Sequence, residues 1–153
     1  VKTVIIGIGS LLRGDDAIGI RVAEAIEREA LPPDVKVVTT TAAGLALLDL
    51  LTGYEKALII DAVQTRQGKP GEVYRLGLDD LPAPLHSFTV HDVSVRSALD
   101  IGRKMGLPLP GETVIFAVEV ADVTPLRENC TPEVEGAVSK AVSLVLNELR
   151  SVG

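Results

Sequence analysis

Val4-Ile5-Ile6, followed by Gly7-Ile8-Gly9-Ser10-Leu11-Leu12-Arg13-Gly14-Asp15-Asp16-Ala17-Ile18-Gly19, is the stretch that decides how this chain is read. The apolar triplet does not alternate with polar residues, as expected of a strand covered on both faces. Glycines and two adjacent acids then interrupt it. Beyond them Ile18, Val22, Ala25 and Ile26 recur at helical spacing. The stretch reads as a strand, a glycine-rich loop and a helix, with Asp15 and Asp16 where the helix opens.

The same alternation continues in both directions. Lys2 to Ile6 is predicted as the first strand, and Ala17 to Glu29 as a helix stopped by Pro32-Pro33. Val35 to Thr40 reads as a strand and Leu45 to Leu51 as a short helix with Leu45, Leu48 and Leu51 facing in. Ala57 to Ile60 is a continuous aliphatic run and reads as a central strand. Gly71 to Leu76 alternates and suits a shorter, less buried strand. Asp79 to Phe88 contains Pro82 and Pro84 and reads as loop. Asp92 to Met105 is a predicted helix with Asp92 as N-cap and Gly106 as stop. Thr113 to Val120 is a further strand. Pro132 to Leu149 is one predicted helix, with Thr131 as N-cap, Pro132 at its first position, and Glu133 and Glu135 at the positive end of its dipole. Alternating aliphatic strands and helices imply an α/β fold: a mostly parallel sheet of about five strands with helices on both faces. No repeat or linker divides the chain, so residues 1–153 are expected to form a single domain.

Composition narrows the function. Apolar residues make up 46% of the 153 and aromatic ones only 3%, so the core must be aliphatic. A net charge of -6 gives no basic footprint and argues against nucleic acid or an anionic membrane as partner. No apolar run approaches the length of a signal or membrane-spanning segment. Cys130 is the one cysteine, which excludes an internal disulfide and suits a reducing, cytoplasmic setting.

In such sheets ligands bind beyond the carboxyl ends of the strands, so polar residues there are the site candidates. One acid at a helix start is explained by capping and the dipole, but Asp15 and Asp16 are two. The spacing G-x-G-x-x-x-x-G is not the dinucleotide fingerprint, and acids at that helix start would repel a pyrophosphate. Asp61 follows Leu58-Ile59-Ile60 and precedes Ala62-Val63; a carboxylate in an apolar run needs a partner, a metal or an open strand end. The structural alternative is an acid capping a following turn. His91 ends the apolar patch Phe88-Thr89-Val90 at a predicted helix start, whereas His86 lies in a proline-rich loop. Two carboxylates and an imidazole would make an O, O, N site for a borderline divalent cation. Cys130 precedes a helix N-terminus that could lower its pKa, and with a histidine it could be a nucleophile; its alternative is a small buried residue.

Three motifs carry a resemblance. Gly7 to Gly19 resembles the G-x-G-N-x-L-x-x-D-[DE]-x-x-G signature of the hydrogenase maturation endopeptidases. Ile59-Ile60-Asp61-Ala62 resembles their second acidic motif, and His91-Asp92-Val93-Ser94 their histidine motif. The resemblance implies a three-layer α/β/α sandwich and a cytoplasmic peptidase. Such a peptidase removes a C-terminal peptide from the nickel-loaded precursor of a hydrogenase large subunit. It also implies that Asp16, Asp61 and His91 bind the metal and carry the catalytic function. The nickel then arrives with the substrate and is not permanently bound. Ser10 departs from the usual Asn. Thr39-Thr40-Thr41-Ala42 stands where the family has D-G-G-T, with Thr39 in place of the acid and Glu119 a candidate substitute. Glu128-Asn129-Cys130-Thr131-Pro132 resembles the branch serving coenzyme F420-reducing hydrogenases. Two rival readings stand beside this one: a hydrolase built on Cys130 and His91, and a non-catalytic module that binds nickel or the precursor.

Overall fold

A computed structural model describes residues 1–9, 17–41, 46–65, 68–80, 90–121 and 130–151. Five strands form one sheet: β1 (Thr3–Ile8), β2 (Val35–Thr40), β3 (Lys56–Val63), β4 (Val73–Gly77) and β5 (Glu112–Glu119). Their spatial order is β2-β1-β3-β5-β4. The first four in that order run parallel, and β4 pairs antiparallel with β5 at an edge. The helices are α1 (Ile18–Glu27), α2 (Leu47–Leu51), α3 (Val90–Lys104), α4 (Pro132–Glu135) and α5 (Val138–Arg150). Among the described residues, no helix is long and apolar enough to cross a membrane.

Strand alternation sends successive side chains to opposite faces, and two cores follow. Ile5, Leu58, Ile60, Phe116 and Val118 meet Val22 and Ile26 of α1 and Ala141 and Val145 of α5. Val4, Ile6, Ile59 and Ile115 meet Leu47 and Leu51 of α2 and Leu99 of α3. This is the expected α/β/α sandwich. Every residue of β1 and β3 is buried, because both faces are covered. The short edge strand β4 is only partly buried, as its alternating sequence suggests.

Several boundaries differ from the sequence reading. β1 continues to Ile8 because Gly7 and Ile8 pair with Thr39 and Thr40 of β2. β3 continues to Val63, so Asp61 lies within the strand, not after it. α3 begins at Val90, which puts Asp92 inside the first turn and not at the cap. The final helix is interrupted at Gly136 and Ala137, where the Ala137 N–H turns back to the Val134 carbonyl at 2.9 Å. That three-residue reach tightens the chain and separates α4 from α5. The stop at Gly106 holds: its φ of 78° allows the Leu107 N–H to reach the Gly102 carbonyl at 3.1 Å and the Gly106 N–H to reach Arg103 at 3.1 Å.

Candidate functional site

The chain leaves β1 for β2 on one side and then crosses to β3 on the other. The strand order therefore reverses at β1, and the carboxyl ends of β1 and β3 flank a switch point, where open α/β sheets bind their ligands. Two glycines bring α1 onto this point. A Cβ on Gly7 would collide with the Gly19 carbonyl and lie 2.6 Å from the Ala23 side chain; one on Gly19 would collide with the Ile8 carbonyl. These glycines are thus explained by close packing of helix on strand.

Asp61 is completely buried, and its Oδ1 accepts the Ala62 N–H at 2.8 Å. It has the parity of Ile59 and Val63, so it faces the layer of α2 and α3. α3 carries His91 in its first turn, in the same layer. The side chains of residues 90–95 are outside the described set, as are Asp15 and Asp16 in the β1–α1 stretch and His86 in residues 81–89. Among the described residues, no group of three histidine, cysteine or acidic residues could hold a metal. Only the Asp61 part of the proposed triad is therefore described at the side-chain level.

Glu119 is the second buried acid at this end, at 1% exposure. It pairs in register with Val63, while Asp61 pairs with Ala117. The two acids thus share a face on neighbouring strands, with Cα atoms roughly 8 Å apart by strand geometry. Glu119 Oε2 accepts the Thr65 N–H at 2.7 Å, and Oε1 accepts the Thr65 hydroxyl at 2.6 Å. Tyr74 donates its phenol to Oε1 at 3.0 Å. Burial, reinforced by the bond to Glu119, holds the Tyr74 phenol above its ordinary pKa, so it remains a neutral donor. Nothing local in the sequence signals these bonds, because Thr65 and Tyr74 lie 54 and 45 positions from Glu119.

This geometry removes Glu119 as a substitute for the acid missing at Thr39. Thr39 lies on β2 opposite Gly7, exposed, and shares parity with Val37 on the α1 side. Glu119 is three strand spacings across and three residues along, roughly 17 Å away, on the other face. The Cys130–His91 pairing also loses support. Cys130 is buried in the core shared with α1 and α5, whereas α3 packs on the opposite face.

Comparisons with known proteins show the family to which the whole chain is related. The model of a family described as hydrogenase maturation protease matches residues 20–148. The Hydrogenase 2 maturation protease of Escherichia coli is 28% identical over 155 residues, covering 100% of this chain and 93% of that protein. The structure of the hydrogenase maturating endopeptidase HybD from E. coli superposes with a TM-score of 0.83 at 26% identity, covering 100% of this chain and 94% of that one. A hydrogenase 2 maturation peptidase from a Thaumarchaeota archaeon gives a TM-score of 0.70 at 28% identity, covering 97% and 98%.

Proposed function

The chain belongs to the hydrogenase maturation protease family and so is a peptidase; on that premise we propose that it removes a C-terminal peptide from the nickel-loaded precursor of a hydrogenase large subunit. The observation that carries this reading is Asp61, a fully buried carboxylate beside the switch point, on the face covered by α3, which carries His91 in its first turn. A buried carboxylate at the carboxyl edge of the sheet is a hard oxygen ligand placed where a cation brought by a substrate can reach it.

Asp16, Asp61 and His91 supply two oxygens and one nitrogen to the substrate's nickel. That donor set suits a borderline divalent ion and leaves coordination positions for the precursor's own ligands. Holding the ion orients the adjacent C-terminal segment over the carboxyl edge, and such orientation lowers the barrier. A carboxylate of the set then takes a proton from the attacking water as general base and returns it to the leaving amine. Without nickel the segment is not held, so the ion acts as a checkpoint. The reaction takes place in the cytoplasm.

Intact mass of a nickel-loaded precursor, before and after incubation, tests this, with a metal-free precursor alongside. Loss of a C-terminal peptide from the loaded sample alone is the expected result. Cleavage of both samples would keep the protease and remove the checkpoint. Tight binding without a mass change, including to an F420-reducing precursor, would establish the binding module in its place.

A further inference from the structure

We propose that Glu119 is a positioning residue for this site: it fixes the exit of β3, and through it the carboxylate of Asp61, without touching substrate. The inference rests on the role of Asp61 given above. A carboxylate removed from water needs strong acceptor bonds to offset its desolvation. Glu119 obtains two of them from Thr65, four residues beyond Asp61 on the chain leaving β3. Thr65 passes the restraint on, because its hydroxyl accepts the Gly68 N–H at 2.9 Å. A Cβ on Gly68 would collide with the Glu119 carboxylate, so the backbone at Gly68 lies directly against the acid.

The backbone around Glu119 ties the same segment from its other end. The Glu119 N–H bonds the Glu72 carbonyl at 2.8 Å, and the Gly71 N–H bonds the Glu119 carbonyl at 2.9 Å. The Val120 N–H bonds the Val63 carbonyl at 2.9 Å. Gly71, at φ 95°, lies where a Cβ would come within 2.6 Å of the Glu133 carbonyl in α4. The β3 exit, the end of β5 and the start of α4 therefore converge on one acid that shares a face with Asp61. Glu119 holds the backbone beside Asp61 and not its carboxylate; groups bonded directly to a ligating side chain cost about 10–100-fold in metal affinity or activity when lost, and the lower end of that range is expected for a restraint that acts through the backbone.

Glu119→Gln tests the role. The amide can accept on one side only, so it faces either the Thr65 N–H or the hydroxyls with a donor. Precursor cleavage is followed by mass at a temperature where circular dichroism shows the variant folded, and cadmium affinity is measured by calorimetry. The expected result is a kcat lowered about tenfold or more, KM within about twofold, and cadmium affinity lowered in parallel. Thr65→Val, which keeps the N–H and loses the hydroxyl, should show a smaller loss of the same kind. If kcat and cadmium affinity stay at wild-type values while only thermal stability falls, Glu119 is a brace and the proposal is overturned. Asp61→Ala separates the two readings. Full cleavage by it removes the site itself, whereas an inactive Asp61→Ala beside a fully active Glu119→Gln removes only the positioning role.

Discussion

The two ends of β3 both bury ionisable side chains, and the partners described for them differ. At the amino end Lys56, 4% exposed, places Nζ 3.0 Å from both Glu112 and Glu148. Arg75 of β4 closes the cluster with a 2.6 Å bond to Glu148. Two cations face two carboxylates, and α5 is fastened to the sheet. At the carboxyl end two acids, Asp61 and Glu119, are buried on one face, and the bonds described for Glu119 come from neutral donors. Opposite charges supplied by the fold make the first end self-contained. The second end gathers two carboxyl groups at a switch point, where the proposed function places the cation that arrives with the substrate.

Lys56→Met strikes the self-contained end and carries the largest expected effect. It leaves Glu148 with Arg75 as its remaining cation; stripping a buried charge of all compensation costs about 3–5 kcal/mol, and the loss here is expected toward the lower end of that range. Urea unfolding should read this as a lower midpoint with an unchanged slope, while folded molecules cleave precursor normally. Loss of cleavage in the folded variant would mean that the two ends are coupled.

Asp61→Asn strikes the other end with the opposite signature. Cleavage should fall about a hundredfold or more, the scale of a lost general base, with cadmium binding weakened. A variant that cleaves normally would leave the buried acid as a structural feature only.

Gly7→Ala comes next and sharpens the geometric side of the contrast. Its new methyl meets the Gly19 carbonyl and the Ala23 side chain, so α1 must move off the carboxyl end. Overpacking of this kind costs about 1–3 kcal/mol, read as a lowered thermal midpoint, and cleavage should fall as well.

The smallest expected effect is a pH dependence of the amino end. The Arg75 guanidinium, with Lys56, holds the Glu148 carboxyl below its ordinary value. The group therefore adds stability above the ordinary carboxylate range, and this is lost as pH falls through the lowered value. Thermal midpoints should decline more steeply on acidification in the wild type than in Glu148→Gln. Parallel curves would mean that the cluster does not titrate with unfolding.

Much of the layer plan was legible in Val4-Ile5-Ile6, in the aliphatic run at Leu58-Ile59-Ile60 and in the spacing of Ile18, Val22 and Ile26 on α1, because burial on both strand faces or on one helix face leaves a local pattern. The position of Asp61 was legible too, as a charge inside an apolar run, although the strand continues past it to Val63. The partners of Glu119 were not. Its burial depends on a loop from β3 and on a tyrosine from β4, and no spacing in the chain announces either. Glu119 as a stand-in for the acid missing at Thr39 failed for the same reason: strand order, not sequence distance, separates them.

By itself the sequence determined the alternation of strands and helices, the aliphatic core and the motifs that place this chain among the hydrogenase maturation proteases, since each is a local or nearly local property. Only the tertiary structure decided that β4 turns antiparallel at an edge, that Cys130 lies across the sheet from α3, and that Lys56 meets Glu148, 92 positions away. Such pairings are set by which strands become neighbours, and neighbours are chosen by the packing of the whole chain.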